Sequence, residues 1–212
     1  MAKRRRSRRK PRRDSRVWLR VLVPVVLLLV VVGGAFVLLR PVAAPPLEPP
    51  SIPACPVVQK VTVGSYLVPA GPIAGFCQSQ LVNAAQVLRA AQSYGLSVHG
   101  QEIGVMTAIG ESSLRNVNYG DTAGPDSRGI FQQRSNYGEL ANRMDPYTAA
   151  RAFFLRMQGI VSWETLPPTV VAHTVQRNAD PDYYTQYWQR AVTIVTALNR
   201  TIVPSAVPPP VS

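Results

Sequence analysis

The chain has 212 residues and a formal net charge of +12, a balance that on its own suggests nucleic-acid binding. The distribution of the charge argues against that class of function. Residues 1–20 hold eleven Lys and Arg against the single acid Asp14, whereas the remaining residues hold twelve basic and ten acidic side chains. A basic stretch confined to one terminus is typical of a topology signal, so we expect no nucleic-acid partner.

A segment of nineteen uncharged residues follows this basic tail. Residues 21–39 lie between Arg20 and Arg40, and about 20 apolar residues span the hydrocarbon core of a bilayer as a helix. The positive-inside rule places the basic side in the cytoplasm. The sequence therefore predicts a single-pass protein of the cell membrane, with residues 1–20 cytoplasmic and the C-terminal domain extracytoplasmic. Because the apolar segment is longer than that of a cleaved secretory signal, we favour a retained anchor.

Proline composition divides the remainder of the chain. Six of the thirteen residues from 41 to 53 are proline, which favours an extended polyproline conformation. We therefore predict a Pro-rich extracytoplasmic linker over residues 40–76, in which residues 57–68 can be extended, and a Pro-rich disordered tail over residues 201–212. The residues between these segments, 77–200, are numerous enough for one compact domain.

Cys55 and Cys77 are the two cysteines of the chain, and both follow the predicted membrane segment. Thiols outside the cytoplasm are usually oxidised, so we predict a disulfide between them. A nucleophilic cysteine acting with His99 or His173 is the alternative, although no motif surrounds it. Two widely separated histidines do not form a zinc motif, and we expect neither a metal nor a cofactor.

The domain over residues 77–200 is predicted to be predominantly α-helical. Apolar residues recur at helical spacing from residue 80 to 94, and Gly95 is a typical helix stop. Ser97 is a suitable N-cap for a second helix, and Asp145 followed by proline predicts the start of another. The helices expected after the second are residues 147–158, 168–176 and 183–199.

Glu111 is the most informative residue of the second predicted helix. It shares a helical face with apolar or small side chains, those of Ile103, Gly104, Thr107 and Ala108. It also lies near the helix C-terminus, where the helix dipole disfavours negative charge. Both effects raise the pKa of a carboxyl group, and a glycosidase needs a protonated carboxyl as its general acid. A glutamate at a frayed helix end, pointing into water, is the alternative.

Several short segments occur in a characteristic order from Glu111 onwards. Residues 111–114 read Glu-Ser-Ser-Leu, residues 118–121 read Asn-Tyr-Gly-Asp, and residues 126–134 read Asp-Ser-Arg-Gly-Ile-Phe-Gln-Gln-Arg. Farther on, residues 172–177 read Ala-His-Thr-Val-Gln-Arg and residues 180–183 read Asp-Pro-Asp-Tyr. Together they resemble the lysozyme-like superfamily, in its branch of lytic transglycosylases and goose-type lysozymes, and especially its actinobacterial extracellular members. The resemblance extends over residues 80–192.

The resemblance implies a lysozyme-like helical domain with a saccharide cleft, acting on peptidoglycan glycan strands as a glycosidase or lytic transglycosylase. Glu111 matches the catalytic acid/base, which cleaves the β-1,4 bond between N-acetylmuramic acid and N-acetylglucosamine. Asp121 matches an additional catalytic aspartate of the goose-type enzymes, and Arg134 occupies the position of another. Gln132 matches the glutamine of the family's Gly-Leu-Met-Gln motif. The candidate substrate-binding residues are Ser112, Tyr119, Gln132, Gln133, Gln176 and Tyr183.

The second half of the reaction is left open by the sequence. Cleavage ends in an anhydro sugar if the sugar's own hydroxyl attacks, whereas hydrolysis needs a positioned water and usually a second carboxylate. Asp121 and then Asp126 are the candidates for that carboxylate, but both also suit ordinary turns. Tyr119, Tyr137 and Tyr183 likewise suit either stacking on sugar rings or packing in the protein.

A second class of function also remains. Gln176 lies near the asparagine of the family's Tyr-Asn-Ala-Gly motif, but this chain lacks the motif itself. The alternative to an enzyme is therefore a lysozyme-like domain that binds peptidoglycan or scaffolds an envelope complex without cleaving it. The sequence identifies no protein partner for either function.

The predicted topology can be tested in intact cells. Protease added outside is expected to degrade the domain that follows residue 40, while a tag at residue 2 stays intact, because the basic tail remains in the cytoplasm. Immunoblotting against both ends measures the result, and permeabilised cells, in which both ends are accessible, serve as the control. Protection of the C-terminal domain with loss of the tag would contradict the membrane prediction.

Overall fold

The computed structural model describes residues 55–122 and 124–202, and this part of the chain is mostly helical. The prediction of a predominantly α-helical domain is therefore confirmed. The predicted cytoplasmic tail 1–20 and transmembrane segment 21–39 lie outside the described residues, as does all but the beginning of the predicted tail 201–212. Among the described helices, none is both long and apolar enough to cross a membrane.

Helix α2, Val98–Ser112, lies at the centre of the domain. Ser97 begins it by accepting a hydrogen bond from the Gly100 backbone N–H at 3.4 Å, as its identity as an N-cap predicts. Almost every residue from 100 to 109 is buried, because four other helices pack against this one: α1 (Gln78–Ser93), α4 (Pro146–Gln158), α5 (Pro168–Gln176) and α6 (Trp188–Asn199). A helix that is apolar on most of its circumference is typically enclosed in this way.

A glycine in α2 permits a close approach of two neighbouring helices. A Cβ atom on Gly104 would lie 2.5 Å from the ring of Phe154 and 3.0 Å from a methyl group of Val87. Phe154 belongs to α4, Pro146–Gln158, and Val87 belongs to α1, Gln78–Ser93. The absence of a side chain at Gly104 therefore lets two neighbouring helices pack directly against the backbone of α2.

The surrounding helices begin and end largely where local sequence signals predict. Helix α1 is followed by Gly95 at φ +66°. Helix α4 follows the short helix α3, Leu140–Met144, and is capped by Asp145, whose carboxylate accepts the Thr148 N–H at 2.8 Å. Helix α5 spans Pro168–Gln176 and helix α6 spans Trp188–Asn199.

The last helix begins later than predicted. The sequence favours a start at residue 183, after Asp180 and Pro181, but α6 starts at Trp188 and is preceded by a short 3₁₀ turn, Thr185–Tyr187. The carboxylate of Asp180 accepts the N–H of Asp182 at 2.9 Å, so its side chain closes a local turn instead of capping a helix. Residues 183 and 184 are consequently in an irregular segment.

The prediction that residues 40–76 form a linker is wrong for the C-terminal part of this range. Strands β1, Val61–Val63, and β2, Tyr66–Val68, form an antiparallel hairpin in which Val63 pairs with Tyr66. Gly64 adopts φ +60° in the tight turn between them. The hairpin packs on α1 and α6, and Tyr66, Val68 and Phe76 are buried. Alternating side chains of a short hairpin thus extend the core of the helical domain, which begins before residue 77.

The predicted disulfide is confirmed. Cys55 and Cys77 are bonded, with their Cα atoms 5.3 Å apart and a separation of 22 in the sequence. Cys77 directly precedes α1, and its backbone N–H donates to the side-chain oxygen of Gln80 at 3.0 Å. The bond therefore fastens the chain before the hairpin to the first turn of a core helix.

Removing the disulfide should destabilise the domain without changing its fold. For a closed loop of this length, chain-entropy arguments give a loss of roughly 3 kcal/mol in the free energy of unfolding for the double change Cys55→Ser, Cys77→Ser. Urea unfolding followed by tryptophan fluorescence measures it. In the unchanged, non-reduced protein neither cysteine should react with an alkylating reagent. Free labelling of both would contradict the pairing.

Candidate active site

The C-terminal end of α2 opens into a cleft of about 950 Å³, and Glu111 lines it. Asp121 and Gln132 contribute a part of the wall from the chain that follows α2. Gln176 and Tyr183 contribute another part, from the end of α5 and the segment before α6. Four of the residues predicted for the site, Asp121, Gln132, Gln176 and Tyr183, thus lie around one cleft with Glu111, although they are far apart in the sequence.

The Glu111 carboxyl receives a hydrogen bond from a buried tyrosine. The hydroxyl of Tyr184 donates to Oε1 of Glu111, and the Tyr184 side chain is fully buried. Burial raises the pKa of the Tyr184 hydroxyl, and the neighbouring Glu111 carboxylate raises it further. Tyr184 therefore stays protonated and acts as a donor, because a phenolate beside a carboxylate would place two negative charges together.

Gly110 makes this hydrogen bond sterically feasible. A Cβ atom at Gly110 would lie 2.8 Å from Cδ1 and 2.9 Å from Cε1 of Tyr184, and 3.2 Å from the ring of Tyr187. Carbon atoms normally stay at least about 3.5 Å apart, so any side chain there would push the ring away from Glu111. The small residue beside the glutamate therefore has a specific use, which is to admit the ring of Tyr184.

Tyr183 supports the end of the helix on which Glu111 lies. Its hydroxyl donates to the backbone carbonyl of Gly110 at 2.8 Å, one of the last carbonyls of α2, which lack a partner within the helix. The Tyr187 hydroxyl lies 3.4 Å from the Tyr183 hydroxyl, and burial raises the pKa of Tyr183. Tyr183 lines the cleft as predicted, but its polar group holds the protein backbone.

The environment of Glu111 raises the pKa of its carboxyl above the ordinary glutamate value. The main cause is burial, which disfavours the charged form, and the charge of Asp121 adds to it. The hydroxyl of Tyr184 and the amide of Gln176 oppose the shift because they stabilise the carboxylate. Burial prevails, so the arrangement favours a carboxyl that keeps its proton at a higher pH than an exposed glutamate does.

Two glutamines of the predicted site donate hydrogen bonds to carbonyls of the loop that follows α2. The amide of Gln176 donates to the carbonyl of Phe131 at 2.8 Å, and the Tyr137 hydroxyl lies 3.4 Å from Oε1 of Gln176. Gln132 adopts φ +46°, and its amide donates to the carbonyl of Gly129 at 3.1 Å. Both side chains line the cleft, and their hydrogen bonds fix the shape of its wall.

Three predicted substrate-binding residues are not among those that line the cleft. The Ser112 hydroxyl donates to the carbonyl of Ile130 at 2.8 Å and so holds the loop from behind. Gln133 is 2% exposed and donates to the carbonyl of Ala149 at 2.9 Å. Tyr119 is 69% exposed and lies outside the cleft. The first two support the wall, and the third is a surface residue.

The two aspartates near the site are both bonded within turns, but only Asp121 lines the cleft. The Asp121 carboxylate accepts the N–H of Gly124 at 2.6 Å. Asp126 instead accepts the N–H of Ser135 at 2.7 Å and pairs with Arg143 at 3.3 Å. The Ser135 N–H is the main reason that the pKa of Asp126 is lowered. Asp126 is therefore an anchor of the loop, and of these two aspartates Asp121 is the one that faces the cleft.

Sequence reasoning missed Tyr184 and Arg156 as residues of this site. The adjacent pair Tyr183 and Tyr184 is visible in the sequence, but nothing local indicates which hydroxyl reaches the glutamate. Arg156 lies 45 residues after Glu111 and looks like an ordinary surface residue of α4. In the described ranges, no three His, Cys, Asp or Glu side chains are grouped in a way that could hold a metal ion.

Comparisons with known proteins leave the site to be interpreted from its geometry. No protein-family model matches the chain. No curated protein sequence matches it significantly either.

The hydrogen bond from Tyr184 can be tested through the pKa of Glu111. Because the hydroxyl stabilises the carboxylate, Tyr184→Phe should raise the pKa of Glu111 further, which ¹³C NMR of the side-chain carboxyl measures. A carboxyl with a raised pKa binds its proton more tightly in the folded chain. Protonated Glu111 therefore contributes to the free energy of unfolding below the ordinary carboxyl pKa, and this contribution is lost as the pH rises through the pKa of Glu111 in the folded protein. In Tyr184→Phe the loss should extend to a higher pH.

Tyr183→Phe is the matched control for this change. It removes a hydroxyl of the same type from the adjacent residue, but one that bonds to the Gly110 carbonyl rather than to Glu111. The pKa of Glu111 should move less in this variant than in Tyr184→Phe. An equal upward shift in both variants, or no upward shift in Tyr184→Phe, would show that the direct hydrogen bond does not tune the carboxyl.

Proposed function

We propose that this domain cleaves the glycan strands of peptidoglycan, at the β-1,4 bond between N-acetylmuramic acid and N-acetylglucosamine, with Glu111 as the general acid. The observation that carries the proposal is a largely buried carboxyl with a raised pKa, facing a cleft of about 950 Å³. Ligand cavities usually measure about 300–1,000 Å³, so this one is large enough for linked sugar rings. The resemblance of the sequence to lytic transglycosylases and goose-type lysozymes points to the same bond.

The reaction begins with transfer of a proton from Glu111 to the glycosidic oxygen. As that proton moves, the bond between the oxygen and the anomeric carbon breaks, its electron pair stays on the departing sugar, and positive charge develops on the ring. The Tyr184 hydroxyl donates to one oxygen of Glu111, which leaves the other oxygen to carry the proton. The same hydrogen bond becomes stronger as the carboxylate forms, since charged acceptors bind more tightly.

The product depends on which nucleophile then reaches the anomeric carbon. If the 6-hydroxyl of the same sugar attacks, it returns its proton to Glu111, and an anhydro sugar results. If water attacks, a reducing end results, and a second carboxylate usually orients the water. Asp121 is the acid for that role, because it lines the cleft and lies close enough to raise the pKa of Glu111.

The predicted membrane anchor is consistent with such a substrate. A domain held outside the cytoplasm by an N-terminal helix and a Pro-rich segment would meet the cell wall rather than a soluble glycan. We therefore include the anchor in the proposal, with the glycan strands as the partner of the cleft.

Replacing the acid should abolish cleavage while the protein remains folded. Glu111→Gln keeps an oxygen that can accept from Tyr184 but cannot supply a proton, and loss of general-acid catalysis typically costs about 10²–10⁴-fold in rate. Purified peptidoglycan is incubated with the full-length protein in detergent, and mass spectrometry of the products gives the rate. Anhydromuramyl ends indicate a transglycosylase, and reducing muramic ends indicate a hydrolase.

Glu139→Gln is the matched control, because Glu139 is exposed and lies outside the cleft. This variant should cleave peptidoglycan at the same rate as the unchanged protein. Glu111→Gln should also unfold at a higher urea concentration at neutral pH, since a carboxyl with a raised pKa destabilises the fold once it ionises. Cleavage by Glu111→Gln at the normal rate would refute the acid assignment. If the unchanged protein binds glycan strands without producing new ends, the domain is a binding module.

A further inference from the structure

Two arginine side chains line the cleft near Tyr137. The guanidinium of Arg156, on helix α4, lies 3.2 Å from the ring centre of Tyr137. Arg177 follows the last residue of α5 and adopts φ +55°. Arg156, Arg177 and Tyr137 all line the cleft, so the two positive charges lie beside the space in which a substrate would bind. We refer to these three residues as the basic end.

The charges of the basic end have no counter-ion in the described part of the chain. Arg156 donates from Nη2 to the carbonyl of Asn136 at 2.9 Å, while its Nη1 is buried without a hydrogen-bond partner. Neither Arg156 nor Arg177 forms an ion pair with another described residue. Asp180 also lines the cleft, but its carboxylate accepts the N–H of Asp182 at 2.9 Å. Arg156 is half-buried, whereas Arg177 is exposed. A cation that is partly withdrawn from water without an opposing charge, as Arg156 is, is costly, and a bound anion relieves that cost.

The charges of the basic end and of Glu111 both act on the pKa of Tyr137. Burial is the main cause of the raised pKa of Tyr137, and the charges of Arg156 and Arg177 both act against it. Glu111 acts in the opposite direction on the same hydroxyl. Tyr137 thus lies within electrostatic range of Glu111 and of the two arginines. The cleft is therefore lined by both carboxyl and guanidinium groups.

A glycan made only of N-acetylglucosamine carries no charge and cannot use the basic end. N-acetylmuramic acid differs from it by a 3-O-lactyl arm that ends in a carboxyl group. In the cell wall this carboxyl is joined to a peptide that carries carboxylates of its own. Arginine guanidinium groups match the geometry of carboxylates, so such an acidic substituent is the part of the substrate that suits Arg156 and Arg177.

We propose that the basic end binds a carboxylate carried by the lactyl arm of muramic acid or by its attached peptide, and thereby selects substituted muramic-acid strands over neutral glycans. The inference rests on the proposed function for the identity of the polymer, and on Arg156, Arg177 and Tyr137 for the selectivity. It assigns a specificity role to residues that take no part in the proton transfer.

Binding to three related oligosaccharides tests this selectivity apart from cleavage. Full-length Glu111→Gln in detergent is titrated by isothermal calorimetry with an uncharged N-acetylglucosamine tetramer, with a muramic-acid tetrasaccharide whose lactyl carboxyl is free, and with the same tetrasaccharide bearing stem peptides. At least one of the two acidic ligands should bind about 10- to 100-fold more tightly than the neutral one, because hydrogen bonds to charged groups are strong. The tighter of the two identifies which carboxylate is recognised.

Arg177→Gln in the same background should lose most of this preference and keep its affinity for the neutral tetramer. Arg156→Lys, which keeps a positive charge but not the planar fork, should lose part of it. Arg151→Gln is the control, because Arg151 is also on α4 but lies 5.4 Å over the ring of Tyr94 and outside the cleft. It should bind all three ligands as Glu111→Gln does.

Equal affinity for the three ligands, or no binding of any, overturns the inference. So does a loss of affinity in Arg177→Gln that is the same for neutral and acidic ligands. These outcomes are separable from a failure of the proposed function. If the unchanged protein does not cleave but the preference for acidic strands is found, the cleavage proposal fails alone. If it cleaves neutral and muramic-acid strands equally and shows no preference in binding, the selectivity proposal fails alone.

Discussion

The carboxyl of Glu111 is held at the end of an enclosed helix, where burial raises the free energy of its charged form. Such a group needs a hydrogen-bond partner that does not itself carry charge, and the Tyr184 hydroxyl supplies it. The ring of Tyr184 can reach that position only because residue 110 has no side chain. Two further features keep this pair together: the irregular segment before α6, which carries Tyr184, and the hydrogen bond from Tyr183 to the end of α2.

Several polar residues of the recognisable sequence segments support the cleft through hydrogen bonds to the protein backbone. Ser112 and Gln133 each bond to a backbone carbonyl of another segment. Arg143 donates to the backbone of Asp126, and Gln176 to that of Phe131. A loop that must keep a fixed shape beside a reacting group needs such bonds, because its own backbone groups are not paired in a helix or sheet. Segments of this kind therefore predict the position of a site better than the role of each residue.

The charges that act on Glu111 differ from those that act on Tyr137, and the difference has a chemical consequence. A cation beside Glu111 would favour its carboxylate and lower the pKa that a general acid needs to have raised. The charges of Arg156 and Arg177 act instead on the pKa of Tyr137. The charge that acts on the pKa of Glu111 is the negative charge of Asp121, which raises it. The same cleft can thus keep the Glu111 carboxyl protonated and also present guanidinium groups to the solvent space.

The sequence by itself determined the features that depend on neighbouring residues. Caps and breaks such as Ser97, Gly95 and Asp145 predicted the helix limits, and the presence of two cysteines predicted the disulfide. The position of Glu111 on an apolar helical face predicted the direction of its pKa shift. Local signals could not assign Tyr184 to Glu111, 73 residues away, or place the hairpin of residues 61–68 in the core. They also could not distinguish Gln132 at the cleft from the buried Gln133. Those outcomes depend on which distant surfaces pack together, and in irregular segments no periodicity indicates the direction of a side chain, so only the tertiary structure decided them.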